Sequence, residues 1–150
     1  EEAMCTLLTK LEGIATCPVK YDPMTGNSAN GYFAPDRNVI VVKESLPALH
    51  KVKTLCHEMT HARLHGKGCP QENADSATME VQAESVAFCV LNYLGLDSSE
   101  YSFGYVAGWS KGKGEKALME NLKVIRDTAD EIITALGLES VADDVKEEIA

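Results

Sequence analysis

Residues 54–61 read Thr54-Leu55-Cys56-His57-Glu58-Met59-Thr60-His61, and this stretch decides how the rest of the chain is read. It contains the pattern His-Glu-x-x-His. Leu49, Val52, Cys56, Met59 and Leu64 recur around it at helical spacing, so the motif is predicted to lie inside a helix. Positions four apart on an α-helix differ by about 40° in azimuth and about 6 Å in rise. His57 and His61 therefore share a face and can converge on one tetrahedral ion at about 2.0–2.1 Å each. Glu58 sits one step round, too far off that axis to be the natural third ligand. It is placed to hydrogen-bond a water at the ion and take its proton. The plain alternative is a helix with two solvent-facing histidines, and only context excludes it.

Pro47 suits the first turn of this helix, with Ser45 or Leu46 near its cap, and Gly66 ends the run. Upstream, Met4, Leu7, Leu8, Leu11 and Ile14 give a first helix over 2–15. Val19 and Tyr21, Tyr32 and Phe33, and the β-branched run Val39-Ile40-Val41-Val42 then read as short strands. The turn-rich stretches 22–31 and 35–38 separate them. The connections are too short for crossovers, so a small antiparallel sheet of about three strands is expected. Downstream, a loop at 66–75 precedes a second long helix over 77–94, stopped by Gly95. Ser99 can cap a third helix toward Trp109. Residues 117–136 form another, with Gly137 after it, and 140–149 make a short acidic one. The order predicts an α+β fold: a small sheet packed on the motif helix, followed by a mostly helical C-terminal half.

The chain has 150 residues, 45% hydrophobic and 25% charged, which suits one globular domain over 1–150. Lys and Arg number 14 against 23 Asp and Glu, a net charge of −9. That balance argues against nucleic acid or an anionic membrane as the main partner of this domain alone. No run of about 18 apolar residues offers a membrane span, and no signal peptide opens the chain. The five cysteines at 5, 17, 56, 69 and 89 are odd in number and form no C-x-x-C. They read as reduced, mostly buried thiols of a cytoplasmic protein. With no initiator methionine, the chain reads as a piece of a longer protein. A phosphate-loop reading of Gly108-Trp-Ser-Lys-Gly112-Lys113-Gly114 fails on spacing and on the missing Ser or Thr.

A catalytic zinc site needs a third protein ligand and an open fourth position. The metzincin extension would place Gly at 64 and His at 67, where Leu64 and Lys67 stand. The second long helix offers Glu80 and Glu84, with Glu80 following His61 by 19 residues. That separation resembles the gluzincin arrangement, in which a glutamate on the following helix completes the site. In that family an acidic residue one turn later hydrogen-bonds a ligand histidine, and Glu84 matches it as Glu rather than the commoner Asp. The reverse assignment, Glu84 as ligand and Glu80 on the surface, stays open. His65 continues the i+4 series but is read as a helix-terminal residue favouring the dipole. Cys56 is read as core.

Arg37-Asn38 with Val39–Val42, the motif helix, and Glu80-x-x-Ala83-Glu84 together resemble zincin-like metallopeptidases of the ImmA/IrrE type. Tyr105-Val-Ala-Gly-Trp109 resembles a segment of the ArdC-type and LtrC-like antirestriction proteins of conjugative elements. The similarity covers roughly residues 30–130. It implies Zn²⁺ held by His57, His61 and Glu80, Glu58 as general base, and a peptide or protein substrate. It also implies a mobile-element setting with an antirestriction or regulatory role, and a possible DNA-binding domain elsewhere in the full-length protein. Tyr93, Tyr101, Tyr105 and Arg63 are candidates for oxyanion or substrate contacts, and a substrate strand could lie along 38–43. The alternatives are a zinc-bound, non-proteolytic binding or protection module, and a peptidase that cuts a cognate repressor.

Overall fold

A computed structural model describes residues 2–24, 26, 28–97 and 108–137. Helix α1 spans Glu2–Ile14. Strands β1 (Val19–Asp22), β2 (Gly31–Ala34) and β3 (Val39–Lys43) follow, then helices α2 (Ala48–Leu64), α3 (Ser76–Tyr93) and α4 (Glu115–Leu136). This is the expected α+β architecture, with the motif on α2. Of the predicted helix leading to Trp109, only 108–110 is described, and is helical. The predicted acidic helix at 140–149 lies outside the described residues.

The sheet is mixed, which corrects the antiparallel expectation. β2 and β3 form an antiparallel hairpin with Gly31 opposite Val42 and Ala34 opposite Val39. β1 runs parallel to β3, Val19 beside Ile40 and Asp22 beside Lys43, in the order β1-β3-β2. Each single connection is indeed too short for a crossover. The return is made by β2 itself, inside residues 23–38, so β3 slots between the other two. Four consecutive apolar residues suit that central place, covered on both faces. Ile40 and Val42 join the main core, while Val39 and Val41 pack with Met24 and Ala34 on the other side. The stretch 38–43 is therefore no edge, and the edges are β1 and β2.

Helix α2 packs against the sheet, α1 and α3, and α4 packs against α3 and α1. Val52, Leu55, Cys56 and Met59 are buried on its core face, meeting Leu7 and Leu11 of α1 and Val86 and Val90 of α3 in one cluster. With that face committed, His57 and His61 are left to the groove between β2 and α3. Pro47 is the residue before the first helical turn rather than within it. The Asp75 carboxylate accepts the Thr78 N–H at 2.8 Å and starts α3. Gly137 ends α4 in the left-handed region, at φ 62°.

The five cysteines are free thiols, but only Cys17 and Cys56 are buried, with Cys5 exposed. Burial pushes the Cys56 thiol up to about 12, so it packs as a neutral core group. Among the described residues no helix is long and apolar enough to cross a membrane.

Candidate metal centre

Helix geometry aligns His57 and His61, and the packing of α3 on α2 brings Glu80 to them. The two Nε2 atoms lie 3.1 Å apart. Glu80 spans the pair, with Oε2 at 3.3 Å from His57 Nε2 and Oε1 at 3.2 Å from His61 Nε2. A tetrahedral ion with bonds of about 2.0–2.1 Å keeps its ligand atoms about 3.3–3.4 Å apart. The contacts come close to that spacing, with Glu80 meeting each imidazole through a different oxygen, and the three residues could hold a metal ion.

The far side of each ring is also engaged. His57 Nδ1 lies 3.0 Å from Glu84 Oε1, one helical turn beyond Glu80. His61 Nδ1 lies 2.8 Å from Nδ1 of His65. The Glu84 carboxylate accepts from His57 Nδ1, so that ring turns its Nε2 lone pair toward His61 and Glu80. A lone pair, a second imidazole nitrogen and a carboxylate so close together call for a cation between them. Without an ion, a proton serves. Burial works against charge on His57, but hydrogen bonds to Glu80 and Glu84 and the nearby Glu58 carboxylate outweigh it and push its pKa up to about 10. Glu80 is correspondingly held well below the usual carboxylate range by its bonds to His57 and His61.

His65 is the main departure from the sequence reading. It ends α2 as its C-cap, where the sequence put it, but it is buried, and burial lowers its pKa away from the cationic form, so it brings no charge to the helix dipole. Its Nε2 lies 2.7 Å from Gln82 Oε1. The sequence offered a signal for this contact in the i+4 series His57, His61, His65. Gln82 had none beyond its place between Glu80 and Glu84.

Glu58 is buried in the wall of the cleft, and burial raises its pKa. One lobe, of about 360 Å³, lies beside Gly31, Thr54 and Lys53 and reaches His57, Glu58 and Glu84. A second lobe runs under Tyr32 and Phe33 to His61 and Glu80. Lys53 was not singled out from the sequence, although it stands four residues before His57 and thus on the same face.

Two candidates for substrate contact are not brought here. Tyr93 ends α3, and 13 residues beyond Glu80 means roughly 20 Å along the helix axis. Arg63 leaves α2 on another side, donating from Nη2 to the Ile14 carbonyl at 3.1 Å and pairing with Glu131 at 3.6 Å. Tyr101 and Tyr105 lie outside the described residues.

A small sheet on a His-Glu-x-x-His helix, with a glutamate supplied by the next helix, defines a zincin-like class of protein. The chain belongs to the Peptidase_M78 family, the IrrE N-terminal-like domain, whose family model matches residues 14–107. This family has a zinc metallopeptidase-like fold. A stretch of 81 residues is 31% identical to an uncharacterized protein, pXO2-81, of Bacillus anthracis, covering 53% of this chain and 14% of that protein. The match thus spans a small part of that relative. No solved structure matches the chain significantly.

Proposed function

We propose that the chain is a zinc-dependent metallopeptidase domain that hydrolyses peptide bonds. The observation that carries this reading is the cluster of His57, His61 and Glu80, with side-chain contacts of 3.1–3.3 Å, opening on a cleft walled by Glu58. Two imidazoles and a carboxylate suit zinc among the common divalent ions. When bound, the ion polarises a carbonyl and lowers the pKa of water toward about 7. The rest is done by the chain's own residues. Glu84 accepts the His57 Nδ1–H and fixes that ring. Glu58, its pKa raised by burial, accepts a proton from the attacking water and passes it to the leaving amine. β2 is a sheet edge lining both lobes, so an extended peptide can add to it as a further strand, with its carbonyl near Glu58.

Residues 1–150 act as one such domain, in the cytoplasm, with a protein substrate and no nucleic acid bound by this part. The net charge of −9 argues against nucleic acid as its partner. An antirestriction or regulatory role on a mobile element, of the ArdC type, is the finer reading. It rests on the likeness of Tyr105-x-x-x-Trp109 to a segment of that group.

Glu58→Gln should keep zinc, measured by elemental analysis, while cleavage of a mixed peptide library followed by mass spectrometry disappears. His57→Ala should lose the metal. Cleavage that survives Glu58→Gln overturns the assignment. A wild-type protein that holds zinc and cuts nothing in the library favours the non-proteolytic binding module instead.

A further inference from the structure

A line of polar side chains runs from α4 into the metal centre, and its direction can be worked out from one end. The Ala117 carbonyl can only accept, so the Asn121 atom 3.0 Å from it is Nδ2, donating. Asn121 Oδ1 therefore faces the other way and accepts from Gln82 Nε2 at 2.8 Å. The same Nε2 donates to Gln71 Oε1 at 3.1 Å. With its amide nitrogen so used, Gln82 turns Oε1 to His65 Nε2 at 2.7 Å, and that nitrogen must carry a hydrogen. His65 is buried between an amide and another imidazole, surroundings that suit a neutral ring with a single N–H. Its Nδ1 then offers a lone pair to His61 Nδ1 at 2.8 Å, which must be the donor. The remaining nitrogen of His61, Nε2, has only a lone pair, and it is the atom that faces His57 and Glu80.

We propose that His65 and Gln82 are positioning residues that hold His61 as its Nδ1–H tautomer, and that Asn121 on α4 sets the direction of the chain. Glu84 does for His57 what this relay does for His61. The carboxylate can only accept, whereas an amide can turn over. The second arm therefore needs Asn121 and Gln71 to keep Gln82 from presenting its NH₂ to His65, which would reverse both rings. The proposal rests on the metal site proposed above.

The test titrates Zn²⁺ alone against a chromophoric chelator, and reads imidazole tautomers from ¹⁵N shifts of the metal-free protein. Gln82→Met should weaken zinc binding about 10–100-fold, the range for partners of ligand histidines. Gln82→Glu keeps an acceptor for His65 but loses the amide donor to Asn121 and Gln71, so it should weaken zinc binding less than Gln82→Met. A purely structural role predicts the opposite order, because Met packs in a buried site and a carboxylate is costly there. If Gln82→Met does not fold, Asn121→Ala carries the test, since Asn121 is only half-buried on α4. It should weaken binding in the same direction and mix the His61 tautomers. Zinc affinity equal to wild type in Gln82→Met, or in a folded Asn121→Ala, overturns the proposal while the metal site stands. A wild-type protein that binds no zinc removes the metal site. The ¹⁵N shifts then judge the relay alone, and His61 with hydrogen on Nε2 overturns it.

Discussion

A methyl group on Gly31 would sit 2.6 Å from Thr54 Cγ2 and 2.7 Å from the Val41 carbonyl oxygen. Its absence lets β2 ride close over α2 and leaves the cleft open beside His57. Gly31→Ala should therefore cost about 1–3 kcal/mol by overpacking, read by urea unfolding. Thr54→Ser in the same chain should return part of that, since it removes the methyl but not the backbone contact. Unchanged stability in Gly31→Ala would show that β2 can lift without penalty. At this scale the sequence was most legible where chemistry depends on spacing within one helix. His57, Glu58 and His61 were placed by periodicity, and Glu80 and Glu84 by likeness to a known arrangement. His65 stands at the helix end as read, but its contact with Gln82 across a helix interface is one that no local spacing reports. Arg63 and Tyr93 were named for chemical type alone, and azimuth and distance take them elsewhere.

Between elements, the start of α3 carries weight because Glu80 lies in its second turn. The Thr78 N–H and hydroxyl hold the Asp75 carboxyl below the usual carboxylate range. A group depressed in the folded state stabilises fully above its unfolded pKa, and that support is lost as the pH falls through the folded value. Asp75→Ala should lower stability at neutral pH, and the difference from wild type should shrink toward strong acid. Asp75→Asn keeps a capping oxygen and should flatten the acid limb of the profile. Denaturant midpoints across pH 2 to 7 give both readings, with the range set by that depressed carboxyl. The strands themselves were legible from their β-branched runs and turns. Their pairing was not, because whether β1 meets β2 or β3 is settled by long-range packing. The uninterrupted apolar run of β3 was the available sign that it belongs in the middle.

Across the whole molecule, Glu58, Glu80 and Glu84 bring three carboxylates of a chain at −9 into one cleft. A divalent ion there takes the formal charge to about −7 and binds only the folded form. Free zinc at 100 times its dissociation constant should add about 2.7 kcal/mol. For a chain of this size that raises the melting temperature by roughly 5–10 °C. A thermal scan with zinc, and with a chelator, measures it, and His57→Ala should show no shift. An equal shift in that variant would place the ion elsewhere. The descent of the His61 arm from α4 has a consequence for biosynthesis. During synthesis α2 and α3 emerge first, with every zinc donor present but the Gln82 amide still free to face either way. On the proposed relay, the final gain of about 10–100-fold in zinc affinity then arrives only when α4 docks and Asn121 meets Gln82.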